Sequence, residues 1–162
     1  MSIYFWRSAL CALLCSFASV TLASDDGAES KTHGPQFDAQ LAAKLGADDY
    51  GMRKYVMALL KAGPNRDQGP EQAAELQRAH MANIQRMADE GVLVLAGPFL
   101  DKGELRGIYV FDVATVEEAR KLTETDPAVK AGRLVMELHP WYGSAAIKQL
   151  NAVHQRISQQ AP

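Results

Sequence analysis

Cysteine is nearly missing from this chain. It occurs twice in 162 residues, as Cys11 and Cys15, both in the apolar N-terminal stretch. Nothing after residue 15 can form a disulfide, serve as a thiolate nucleophile or hold zinc through sulfur. A positive excess is missing too: Lys and Arg number 17 against 19 Asp and Glu. That balance lacks the basic field that nucleic acid requires, so no nucleic-acid partner is expected. With 12 Gly and 7 Pro, against 48% hydrophobic residues, the chain is neither low-complexity nor globally disordered. There is no Gly-x-Ser-x-Gly elbow and no phosphate-cradling glycine loop. The four histidines, His33, His80, His139 and His154, form no helix-spaced pair. No metal site is expected, and no residue pattern asks for a cofactor.

A long apolar run occurs once, at the start. Arg7 closes a short positive segment, Ser8 to Ala23 is apolar or small, and Asp25 and Asp26 open a polar stretch. Thr21-Leu22-Ala23 has the small first and third residues of a signal-peptidase site. Residues 1–23 therefore read as a secretory signal peptide cleaved after Ala23. The alternative is an uncleaved anchor, since a span needs roughly 20 apolar residues. Lipidation at Cys15 is disfavoured by the large Leu14 beside it. Cleavage implies a periplasmic or secreted protein with no stable membrane insertion.

Residues 24–51 form a polar linker in which Phe37, Leu41 and Leu45 recur every four residues, a short helix that Gly46 can end. A domain follows over 52–142. Tyr55–Leu60 is a short apolar strand. Pro70 to Glu90 reads as a long helix, with proline at an allowed first position and Gly91 just past its end. Val92–Ala96 and Leu105–Val113, joined through Gly97-Pro98 and Asp101-Lys102-Gly103, predict a hairpin. Thr115-Val116-Glu117-Glu118 has capping-box spacing and starts a second helix. Asp126-Pro127 opens a short turn or helix, and Leu134–Trp141 is the last strand. Residues 143–162 form a helical tail carrying Ile147, Leu150 and Val153, expected to pack on the helices or on a dimer.

The order β-α-β-β-α-β predicts an α+β, ferredoxin-like fold with a four-stranded antiparallel sheet. Its strands are apolar on alternate positions of both sides, so both sheet faces want cover. Two helices cover one face. The other is expected to meet a second copy, giving a homodimer built sheet to sheet.

On the long helix, Ala73, Leu76, His80, Ile84 and Met87 share one stripe, opposite Glu75, Arg78, Arg86 and Asp89. His80 thus occupies the centre of the apolar face, where a purely structural helix would place Leu or Ile. A desolvated imidazole costs about 1–3 kcal/mol if left without a hydrogen bond. It reads either as a core histidine bonded to a backbone carbonyl or as an acid–base group. Asp126 is an ordinary N-cap before proline; paired with His80, it would fix the tautomer and raise the imidazole's basicity.

An ordered set of motifs now resembles a known family. His80, Gly91-Val-Leu-Val-Leu-Ala-Gly97-Pro98-Phe99, Gly107, Glu117-Glu118-Ala119, Asp126-Pro127 and Pro140-Trp141 look like the YCII-related family, from about Lys54 to Tyr142. The resemblance implies a dimeric α+β barrel and a His–Asp site, which falls on His80 and Asp126. Some members are associated with degradation of halogenated aromatics, and most have no assigned reaction. Members are mostly short and cytoplasmic; the signal segment, linker and tail here depart from that.

Further candidates for a pocket are Gly97 and Pro98, which read first as turn punctuation, and Tyr109, which reads first as packing. On the last strand Val135, Glu137, His139 and Trp141 share a face. His139 and Trp141 could line a pocket; Glu137 and His139 read first as a pair across the dimer. Arg106 and Arg133, near strand ends, suit an anionic substrate or a neighbouring carboxylate. Two functions follow from these residues. One is a cofactor-independent isomerase or lyase using His80 and Asp126 on a small organic molecule. The other is a non-catalytic module that binds a small ligand or assembles with envelope partners.

Overall fold

The computed structural model describes residues 36–160. The signal peptide assigned to 1–23, both cysteines and linker residues 24–35 lie outside the described residues. Helix α1 (Ala39–Leu45) is the short helix expected around Leu41. The Asp38 side chain accepts from the Leu41 N–H, and Gly46, at φ 67°, ends the helix in the left-handed region.

Strand β1 (Met52–Ala62) is longer than the Tyr55–Leu60 run because it lies inside the sheet, where pairing extends it past its apolar centre. Helix α2 (Pro70–Asp89) starts on its proline, as expected. Strands β2 (Leu93–Pro98) and β3 (Leu105–Phe111) form the hairpin. Helix α3 (Val116–Thr123) opens on a complete capping box, Thr115 and Glu118 each accepting the other's backbone N–H. Asp126 caps the single-turn helix α4 (Pro127–Lys130). Strand β4 (Leu134–Ser144) pairs with β1 over its whole length, Met52 opposite Ser144 through Ala62 opposite Leu134. A 3-10 turn (Ala145–Gln149) and helix α5 (Leu150–Ile157) complete the described chain.

The sheet order is β2-β3-β1-β4 with every pairing antiparallel. This is the α+β, ferredoxin-like arrangement expected from the element order. Val56, Ala58 and Leu60 of β1, with Tyr109 and Phe111 of β3, form the core under the helices, packed with Met87 of α2 and Ala119 of α3. The opposite face carries a smaller cluster of Tyr55, Val94 and Val110.

The tail begins on the face that α2 and α3 leave open, and its last helix reaches the end of α2 beside Gln85 and Ala88. Ile147 packs against that smaller cluster, on the sheet's other face, and the Asn151 amide donates to the Leu93 carbonyl at 2.9 Å along edge strand β2. The 3-10 turn after Ser144 redirects the chain, and the apolar cluster there gives Ile147 a place to bury. Asp112 anchors the arrangement, bonding Arg53 of β1 at 2.6 Å and Lys148 at 2.9 Å.

At one end of the sheet two backbones pass unusually close. A Cβ on Gly63 would stand 2.1 Å from the Gly132 carbonyl oxygen. Gly63 and Asn65 donate their N–H groups to Arg133 and Gly132. The loop after β1 is thereby held against the start of β4, directly beside the cavity described next. Among the described residues no helix is long and apolar enough to cross a membrane.

Candidate active site

His80 faces the sheet from the middle of α2 and is 8% exposed. Its Nδ1 lies 2.6 Å from Oδ2 of Asp126, which is completely buried. The other carboxylate oxygen, Oδ1, accepts the Ala128 N–H at 2.8 Å. Both readings of Asp126 therefore hold at once: it caps α4 and it grips His80. The backbone carbonyl expected for a purely structural histidine is not the partner. A carboxylate beside Nδ1 makes that nitrogen the protonated one and leaves the Nε2 lone pair as the basic position.

The third member is Tyr109 on β3. Its hydroxyl is 3.3 Å from Nε2, and its ring stacks beside the imidazole at 6.3 Å between centroids. Burial, and then the Asp126 charge, push the phenol far above its ordinary value. Tyr109 therefore stays protonated and donates toward Nε2. The contact is long for such a bond and correspondingly weak.

Asn83 and Thr125 hold this pair in place. Asn83 is buried one turn beyond His80, and its Oδ1 accepts from Arg86 at 2.9 Å and from the Thr125 hydroxyl at 3.1 Å. Arg86 also donates to Thr125 Oγ1 at 3.1 Å. The residue before Asp126 is thus fastened to the helix that carries His80. Sequence reasoning missed Asn83, although it follows His80 by three positions and precedes Met87 by four, the spacing of the buried stripe.

His80 opens onto a cavity of about 210 Å³. Leu60, Pro98 and Leu134 line it together with Arg66, Arg106 and Arg133. Of the candidates for substrate contact, Pro98 lines this cavity and Tyr109 touches His80. Gly97 does not line it; it stands beside Pro98 in β2 with its carbonyl against Gly107. His139 and Trp141 do not line it either. Strand alternation puts both on the opposite face, where Trp141 packs on Tyr55 at 5.8 Å between centroids. His139 bonds Glu137 at 2.9 Å, and Glu137 also meets Lys61, so both side chains have partners within the chain. Among the described residues no three His, Cys, Asp or Glu side chains gather as a metal site.

Residues 54–142 match the family described as the YCII-related domain. The chain belongs to this family. The matched span runs from β1 to β4 and contains both His80 and Asp126. No relative among curated proteins matches the sequence at a meaningful level. A similar solved structure is that of 5-chloro-2-hydroxyhydroquinone dehydrochlorinase (TftG) from Burkholderia phenoliruptrix AC1100, in complex with 2,5-dihydroxybenzoquinone. It is 17% identical, with a TM-score of 0.41, over 53% of this chain and 92% of its own.

Proposed function

We propose that this YCII-related protein is an exported, homodimeric enzyme that performs acid–base chemistry on a small organic molecule held in the His80 cavity. The observation that carries the chemistry is the 2.6 Å contact between His80 Nδ1 and the buried Asp126 carboxylate, on a histidine that lines a cavity. A solvated surface pair would be worth little, but a desolvated one orients the ring and stabilises the imidazolium that forms when Nε2 takes a proton.

In the forward step Nε2 abstracts a proton from a carbon or hydroxyl of the substrate, and the electron pair left behind moves into the adjacent π system. The same proton then returns at a neighbouring atom, an isomerisation, or leaves with a departing group, an elimination. Isomerisation conserves the atoms and elimination releases the proton and the departing group with its bonding pair, so neither is a net oxidation or reduction and neither calls for an electron acceptor. Tyr109, kept protonated, donates to Nε2 between turnovers and holds the ring toward the cavity.

Export rests on the apolar segment ending at Ala23, and the dimer on the half-buried Met57, Leu59 and Ile108 of the face that the helices leave open. The test of the chemistry is deuterium exchange. Small carbon acids are incubated with the protein in heavy water and followed by proton NMR, with His80→Asn as control. Exchange that disappears in His80→Asn supports the proposal; a substrate turned over equally by His80→Asn removes it. Edman sequencing of the chain recovered from the cell envelope tests cleavage after Ala23.

A further inference from the structure

Three arginines from three separate segments line the cavity. Arg66 comes from the loop after β1, Arg106 from the start of β3 and Arg133 from the turn before β4. Arg106 is the extra residue of a bulge: Leu60 pairs with Gly107 and Lys61 with Leu105, leaving Arg106 without a partner on β1. Bulges re-aim side chains, and this one serves the cavity. Among the described residues none of the three arginines has a carboxylate within 4.0 Å, although Arg53, Arg86, Lys61 and Lys148 all do. Arg133 donates to the neutral Gln68 side chain at 2.8 Å and Arg66 to the Arg133 carbonyl at 3.2 Å. The Arg106 Nε is buried and has no hydrogen-bond partner at all.

Folding alone gives no reason for this arrangement. Three like charges repel, and a buried N–H without an acceptor is costly. Burial, together with the Arg133 and Arg106 charges, already holds the Arg66 guanidinium below its ordinary value. An anion at the centre would relieve both penalties, giving Arg106 its acceptor and the cluster its counter-charge.

We propose that the substrate of the His80 cavity is a small organic anion whose carboxylate is received by Arg66, Arg106 and Arg133. This rests on reading the cavity as a small-molecule site. A cavity of about 150 Å³ holds one benzene molecule. The 210 Å³ here suits a single small ring or short chain with its acid group. Leu60, Pro98 and Leu134 take the apolar body. The negative group faces the arginines, while the atom that exchanges a proton faces His80. Placing an anion beside the reacting atom also lets the arginines spread the charge that develops when Nε2 removes a proton.

The test compares benzoate with benzamide, which have the same shape and differ in charge. Binding is read from the His80 ring-proton resonance, assigned with His80→Asn, and from the melting temperature. Benzoate is expected to move the resonance and raise the melting temperature, while benzamide does neither. Arg106→Gln and Arg133→Gln are each expected to weaken benzoate by about tenfold or more; Arg156→Gln, on α5, leaves it unchanged. If Arg106→Gln does not fold, Arg133→Gln decides. Benzamide binding as tightly as benzoate, or full benzoate affinity in the arginine variants, overturns the anion assignment and leaves the small-molecule site standing. If neither probe nor any member of a panel of small carboxylates and their amides moves the His80 resonance, both readings fall.

Discussion

Asp126 gives its two carboxylate oxygens to two different elements: Oδ1 caps α4 through Ala128, and Oδ2 holds Nδ1 of His80 on α2. Asparagine can do the first of these and not the second. In Asp126→Asn the carbonyl oxygen still caps the helix, but an amide N–H now faces Nδ1. That forces Nδ1 to accept and moves the ring proton to Nε2, the nitrogen that should be the base. Asp126→Asn is therefore expected to melt near the wild type while turnover falls by about 10²–10⁴. Asp126→Ala should lose more, both the cap, worth about 1 kcal/mol, and the acceptor of the buried His80 Nδ1–H. Nitrogen NMR of the imidazole reads the tautomer, and a wild-type tautomer with reduced turnover would contradict this account.

Removing the other partner has a different signature. Leucine at position 80 suits the apolar stripe of α2, yet it strands a completely buried carboxylate. Breaking a buried pair from one side costs about 3–5 kcal/mol. His80→Leu should therefore melt well below the wild type. His80→Leu combined with Asp126→Asn should recover part of the loss, since the asparagine keeps the cap without burying a charge. Denaturant titration of the four proteins gives the coupling directly; simple additivity would mean that the pair is not coupled in the folded protein.

How much of this was legible in the sequence follows from the range of each interaction. The hairpin, the Thr115–Glu118 capping box, the proline start of α2 and the order of elements are set by residues close in sequence, and the structure matches them. His80 stood out because one polar residue interrupts an apolar stripe. Asn83 lay on the same stripe but reads as ordinary helix composition until Thr125, 42 positions away, is seen to bond it. The arginine cluster was half visible. Arg106 and Arg133 sit at strand ends, whereas Arg66 joins them only because Gly63 lets the loop after β1 touch the turn before β4. His139 and Trp141 lie away from the His80 cavity for the opposite reason. Alternation put them correctly on one face, but aromatic and imidazole side chains look the same on the sheet's pocket side and on its other side.

Acid should loosen the tail before it unfolds the core. Burial of Asp112 works to raise its carboxyl, but hydrogen bonds from Lys148 and Arg53, helped by their charges, overcome this and hold it below the ordinary aspartate value. A depressed folded pKa contributes stability that is present above the unfolded value, about 3.9, and lost as pH falls through the folded one. The Lys148 tether of the 3-10 turn is therefore complete at neutral pH and is released in that acidic window. The melting temperature of the wild type should fall more steeply below about pH 4 than that of Asp112→Asn, which lacks the titrating group. Limited proteolysis near Lys148 should show the same pH dependence. Parallel curves for the two proteins would remove Asp112 as the anchor.

The open sheet face makes a separable claim about assembly. Ile147 covers only the end of the face formed by Tyr55, Val94 and Val110. Farther along β1 and its neighbours, Met57, Leu59 and Ile108 stay half-buried, and Val135 is 46% exposed. In the proposed dimer a second copy would cover the apolar part of this face, beside the Lys61–Glu137–His139 cluster, and a further charge inside that contact would be unfavourable. Leu59→Arg is expected to turn a dimer into a monomer in sedimentation velocity. His80 and Asp126 belong to the other face of the sheet, so the NMR signature of their pair should survive the substitution. A wild-type chain that sediments as a monomer at every concentration tested would show that the tail alone is cover enough, and the sheet-to-sheet dimer would have to be abandoned.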